Sequence, residues 1–166
     1  MTVPPHIETF WQSFVASDRR WADASEQFYE SFRIGDTDEV AREGARLILS
    51  GEKTATSSPL WEYETSGKAL PYVGALSVLE DDRHAVCVVR TTWLDILPFG
   101  EVGADFARAY AESDGTLAGW RAMMRDHYSP DRAGGGRHLA LDTPLVCERL
   151  ELVYTGRAGQ PDGESV

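Results

Sequence analysis

The chain has 166 residues, 42% of them hydrophobic and 26% charged, a length and balance that suit one soluble domain with a core of its own. Acidic residues number 27 and basic residues 16, and the resulting net charge of −11 excludes a general polyanion-binding surface while leaving room for a local basic cleft. Met1–Phe10 has neither the basic start nor the apolar stretch of a signal peptide, and no apolar run is long enough to span a bilayer, so a cytoplasmic protein with no membrane partner is expected.

The first region, Pro5 to Gly51, reads as helical. Phe10, Trp11, Phe14 and Val15 fall at helical spacing, and Trp21, Phe28, Tyr29 and Phe32 do so more loosely. The clearest helix is predicted over 37–50, with Asp36 as its cap, Glu39 placed for a capping box, and Val40, Ala41, Ala45, Ile48 and Leu49 on its apolar side. Gly51 stands where such a helix would stop. From Thr54 to Pro98 the pattern changes to strands: an aromatic-rich run at 60–63, a strand over 75–80, a turn at Asp81-Asp82, and a Val- and Thr-dense strand over 84–93. Helical periodicity returns over 102–111 and 117–127, and a last strand is predicted over 145–154. Gly134-Gly135-Gly136 reads as a flexible loop, and the Gly-, Pro- and acid-rich stretch 155–166 as a disordered tail. The order implies one α+β domain over 5–154.

Several chemistries have no motif here. There is no Cys-x-x-Cys and no His-Glu-x-x-His, so no metal site is expected, and the absence of a Walker loop or dinucleotide fingerprint leaves no cofactor to expect. Cys87 and Cys147, in apolar surroundings, read as buried thiols. Three segments stand out instead. In Gly51-Glu52-Lys53-Thr54-Ala55-Thr56-Ser57-Ser58 an amine and four hydroxyls follow a helix end, and Lys53 is one of only two lysines. A helix C-terminus favours the charged ammonium. For Lys53 to act as a base, burial must outweigh that effect. The bland reading is a polar turn entering a strand. Glu112, in Glu112-Ser113-Asp114-Gly115-Thr116, lies at a break between helices and could serve as general acid or base, while Asp114 reads as a helix cap. Trp61 and Tyr63, two apart on a predicted strand, share a face that either packs in the core or stacks on a nucleobase. His127-Tyr128-Ser129 reads as closing the core, with Ser129 a possible cleft hydroxyl, and Arg90 as a strand-face ion pair or a phosphate contact.

In order and spacing these segments resemble the ASCH domain, a member of the PUA-like superfamily. The resemblance rests on Gly51-x-Lys53-x-x-Thr56, Leu60-Trp61-Glu62-Tyr63-Glu64 and Leu70-Pro71-x-Val73-Gly74. It continues through Thr91-Thr92, Pro98-Phe99, Glu112-x-Asp114-x-Thr116-Leu117-x-x-Trp120 and Val146-Cys147-Glu148-Arg149. It implies a small mixed β-barrel with surrounding helices, an extra helical N-terminal region, and a cleft beside Lys53. It also implies an RNA-linked function. Short members include amidohydrolases that deacetylate acetylcytidine with a Lys, a Thr and a Glu; longer members, which this chain resembles more, include metal-independent ribonucleases. By position, Lys53, Thr56 and Glu112 match the catalytic set, and Ser129 matches a cleft serine of the longer branch. Ser113 stands where many longer members have Gly.

Two hydrolytic schemes follow. In one, Thr56 attacks an acetyl carbonyl, Lys53 takes its proton or stabilises the oxyanion, and Glu112 protonates the leaving amine. In the other, an RNA 2′-hydroxyl attacks the adjacent phosphate and a charged Lys53 stabilises the phosphorane, with Ser129 or Thr56 assisting. A third reading is a non-catalytic module binding RNA or a modified nucleotide through Trp61, Tyr63 and Arg90. Double-stranded DNA is not an expected partner.

Overall fold

The backbone follows the hydrophobic pattern into one mixed sheet whose five strands are hydrogen-bonded in the order β1-β3-β4-β5-β2: β1 (Phe28–Arg33), β2 (Ala55–Pro59), β3 (Leu76–Glu80), β4 (Ala85–Pro98) and β5 (Pro144–Thr155). Five α-helices accompany it: α1 (Glu8–Ser17), α2 (Asp38–Leu49), α3 (Leu60–Ser66), α4 (Ala104–Tyr110) and α5 (Leu117–His127). This is a computed structural model, and it describes residues 2–81, 84–129 and 137–156. The expected turn residue Asp82, the glycine loop 134–136 and most of the expected tail lie outside the described residues. The chain has the α+β class expected of it, and its residues cluster into two compact units.

Among the described residues, the first unit takes in 2–49, 75–81, 84–90 and 152–156. Its core is aromatic: Trp11 sits edge-on to Phe14 and Phe28 at 5.1 and 5.0 Å, with Ile7, Leu76, Val78 and Val88 around them. Phe28, Tyr29 and Phe32 do not continue a helix, as their spacing suggested. They lie in β1, which pairs parallel with β3 (Ser31↔Val78). Aromatic side chains fit a pleated, covered surface, and here the chance helical spacing lost to sheet pairing. β3 turns back antiparallel into β4, with Leu76 opposite Arg90.

Helix α2 forms as predicted, but its start is set by Thr37, whose Oγ1 accepts a hydrogen bond from the Val40 amide at 3.3 Å. Asp36 is therefore not the cap, and Glu39 is not at the capping-box position. Ala41, Gly44, Ala45 and Ile48 face inward, whereas Val40 and Leu49, expected on the apolar side, are 40% and 43% exposed. Gly44 is required by close packing, since a Cβ there would lie 2.6 Å from Ile34.

The second unit comprises Ser50–Gly74 and Thr91–Glu151. In it β2 runs antiparallel to β5, with Ala55, Ser57 and Pro59 buried in alternation. The aromatic run after Pro59 is helix α3, not the expected strand. Pro59 leaves β2 at φ −60°, Ser66 Oγ donates back to the Glu62 carbonyl at 2.7 Å, and Gly67 closes the helix at φ +68°. Strand β4 runs on to Pro98, five residues past the predicted end at Trp93. Helix α5 is capped by Thr116, whose Oγ1 accepts from the Gly119 amide at 3.0 Å. Asp114, the expected cap, instead accepts from the Thr116 hydroxyl at 2.7 Å and orients it. Phe106, Tyr110, Trp120, Met124, Tyr128, Leu145 and Cys147 form this unit's core.

Candidate functional site

The second unit draws three distant segments together around Lys53. The Thr54 amide donates to the Ala109 carbonyl at 2.8 Å, and the Leu150 amide donates to the Thr54 carbonyl at 2.9 Å. With the backbone held on both sides, the Lys53 side chain turns inward and is 1% exposed. Its Nζ donates to the Ala55 carbonyl at 2.7 Å and the Tyr110 carbonyl at 3.1 Å, and it pairs with Glu112 Oε1 at 2.7 Å. Three acceptors match the three N–H donors of an ammonium. Nζ also lies 3.6 Å from the centre of the Tyr110 ring. Burial pulls the Lys53 pKa below its usual value, and the Glu112 carboxylate opposes that shift. The helix end that meets the ammonium is that of α4, through its last carbonyl, rather than the preceding α2.

Glu112 reaches Lys53 because the chain reverses at Ala111, whose φ of +62° is the one positive value among the described non-glycine residues. That left-handed residue lets the Tyr110 carbonyl and the Glu112 carboxylate converge on one ammonium; such conformations cost energy and cluster at functional sites. Glu112 keeps 18% of its side chain exposed, so the carboxylate is the member of the pair that water or a ligand can reach.

Around the pair stands a group of hydroxyls. The buried Tyr110 phenol interacts with the hydroxyls of Thr56 and Ser57, and burial followed by the Glu112 charge pushes its pKa well above the ordinary range. Tyr128 is likewise raised, first by burial and then by Glu62, and its phenol interacts with Ser58. Ser113 Oγ is buried and makes no hydrogen bond among the described residues. A buried hydroxyl left in that state has hydrogen-bonding capacity to offer a ligand.

Of the residues proposed from sequence, Lys53 and Glu112 form an ion pair, and Thr56 is linked to them through Tyr110, whose phenol interacts with the Thr56 hydroxyl. Trp61 lies edge-on to Tyr128 at 6.3 Å, and the Arg137 guanidinium is 5.7 Å from its ring centre. Tyr63 is on the same helix, but two residues on a helix are about 200° apart, so it and Trp61 do not share the face that a strand would have given them. The Tyr63 ring instead faces Lys68 at 5.6 Å. Ser129 is half-buried just after α5, its amide donating to the Asp126 carbonyl at 3.2 Å, and its hydroxyl makes no hydrogen bond among the described residues. Arg90 belongs to the first unit. Tyr110 carried no signal in the sequence, while Tyr128 read as closing the core and Ser57 as one hydroxyl of the Lys53 segment. A tyrosine at a helix end reads as core, and only the contacts reveal the phenols' polar role.

Among the described residues no group of three His, Cys, Asp or Glu side chains could hold a metal ion, and no helix is long and apolar enough to cross a membrane. The family model of the ASCH domain matches residues 30–154, most of the chain. The chain belongs to the ASCH domain family. The family is generally associated with RNA. Two solved structures resemble this ASCH chain along nearly its whole length. The ASCH domain from Lactobacillus crispatus JV V101 is 27% identical, with a TM-score of 0.82 over 92% of this chain and 96% of its own. A protein from Enterococcus faecalis V583, described under the family label DUF984, is 26% identical, with a TM-score of 0.76 over 96% of this chain and 98% of its own. No curated protein sequence matches the chain.

Proposed function

We propose that this ASCH protein is a hydrolase that removes a small acyl group from the exocyclic amine of a modified nucleoside of the acetylcytidine type. The observation that carries the reading is the enclosed Lys53–Glu112 pair. All three ammonium N–H groups are engaged within the protein, and only the carboxylate has an open side. A carboxylate facing the ligand suits an amine or amide and repels a phosphate. The net charge of −11 points the same way, towards a substrate of nucleoside size.

In this scheme Glu112 carries the protons. As Thr56 Oγ attacks the acyl carbon, Glu112 accepts the hydroxyl proton. The C–N bond then breaks, and Glu112 returns that proton to the leaving amine nitrogen. Water attacks the resulting acyl-threonine ester, gives its proton to Glu112, and the carboxyl hands it back to Thr56 Oγ as the acid departs. Lys53 acts through Glu112, fixing its position by the 2.7 Å ion pair. The buried Ser113 hydroxyl supplies a donor for the oxyanion.

Acetylcytidine offered to wild type and to Glu112→Gln tests this. Acetate release should fall about 10²–10⁴-fold in the variant, the usual contribution of a positioned acid–base group. No release by the wild type would reject the reading. A second reading, a metal-independent ribonuclease, draws on the exposed Arg137 beside Trp61, a cation and an aromatic suited to one nucleotide. Cleavage of single-stranded RNA in the presence of EDTA, lost on Arg137→Ala, would favour it.

A further inference from the structure

A groove open to solvent lies in the same unit and has a volume of about 430 Å³. It is lined by Trp93, Leu97, Gly103, Asp105, Phe106 and Arg149, none of them a member of the Lys53–Glu112 pair. Its volume falls within the range of small-ligand sites. Trp93 is 38% exposed, an open aromatic surface in a chain that buries Trp11, Trp21 and Trp120. The Arg149 guanidinium lies 5.2 Å from the centre of the Phe106 ring, within cation–π reach. Among the described residues its charge meets one carboxylate, Asp105, at 3.1 Å, and that side chain is 80% exposed. An exposed pair of this kind contributes little and exchanges readily with another anion.

We propose that this groove is a nucleotide subsite, with the base stacked on Trp93 and the phosphate taking the place of Asp105 on Arg149. An aromatic face holds any base, and a guanidinium fork fits phosphate oxygens in pairs. The apolar walls at Leu97 and Phe106 exclude a wholly polar ligand. The exposed Trp93 ring and the displaceable Asp105 on Arg149 supply the ligand class. The same chemistry is presented by a free nucleotide and by one residue of an RNA strand. The subsite does not rest on amide hydrolysis, because binding is read without turnover.

The test measures binding of a short labelled single-stranded RNA by fluorescence anisotropy, and of cytidine 5′-monophosphate by the NMR shift of the Trp93 indole N–H. Trp93→Ala should weaken RNA binding at least about fivefold, the lower end of one stacked base. Arg149→Gln should weaken it and reduce its salt dependence by about one phosphate contact. Asp105→Asn, which removes an exposed competitor together with the first-turn charge of α4, should tighten binding by up to about fivefold. This opposite sign keeps the test decisive if the Trp93 or Arg149 variant folds poorly. Binding of the mononucleotide alone, with the same responses, supports a free-nucleotide site; binding of RNA alone supports a strand residue. The proposal fails if Asp105→Asn weakens binding or leaves it unchanged. It also fails if neither ligand binds, or if Trp93→Ala turns a dimer into a monomer, which would assign the groove to self-association.

Discussion

Replacing Glu112 with alanine asks what one carboxylate does for an enclosed ammonium. Lys53 is 1% exposed and Glu112 18%, at 2.7 Å. Removing one partner of a buried pair costs about 3–5 kcal/mol, because the other charge stays behind without water. Lys53 limits the loss by shedding its proton, and neutralising an ordinary lysine at neutral pH costs about 4–5 kcal/mol. A deficit of about 3–4 kcal/mol is expected at neutral pH. The deficit also depends on pH. Burial already lowers the Lys53 pKa, and the carboxylate is what opposes the shift, so the variant's value falls further. A lysine with a folded pKa below its unfolded value binds fewer protons when folded, so stability rises with pH between the two values. The Glu112→Ala deficit should therefore shrink as pH is raised from about 7 towards about 10. Lys53→Met carries no titrating amine and should show no such recovery. Urea unfolding at a series of pH values reads both. A deficit under about 1 kcal/mol, or one that ignores pH, would refute an enclosed, carboxylate-held ammonium.

Two further outcomes follow from local geometry. Ala111→Gly should raise stability by roughly 0.5 kcal/mol in thermal or urea unfolding, since glycine adopts the +62° φ without steric cost but loses more entropy on folding. Cys87 and Cys147 are buried free thiols that burial pushes up to about 12, so iodoacetamide should label neither in the folded protein and both after denaturation; rapid labelling of either without unfolding would contradict that burial.

Where a segment's periodicity and its packing agree, the sequence was a sufficient guide. Helix α5 shows the helical period together with a break at Glu112–Gly115 that separates it from α4. Strands β3 and β4 are dense in Val and Leu. Aromatic residues misled in both directions. Phe28 and Tyr29 fell at helical spacing but joined a sheet, and Trp61 and Tyr63 looked like a strand face but wound into a seven-residue helix. Large rings bury well in either conformation, so the neighbouring elements decide. Lys53, Thr56 and Glu112 could be proposed from spacing and resemblance. Tyr110 could not, because its role depends on a left-handed turn at an alanine, a residue with no propensity for one.

The backbone bonds around Thr54 have a consequence for how the molecule is made. The Lys53 ammonium is completed by a carbonyl 57 residues further along the chain. Closing a loop of that length costs roughly 3–4 kcal/mol of entropy before any contact is gained. During synthesis Lys53 therefore spends a period as an ordinary solvated lysine, with an ordinary affinity for protons, until α4 has emerged and docked. The Leu150 amide that locks Thr54 arrives later still. The pocket is thus a product of late folding, and no truncated nascent chain ending before α4 can carry its chemistry.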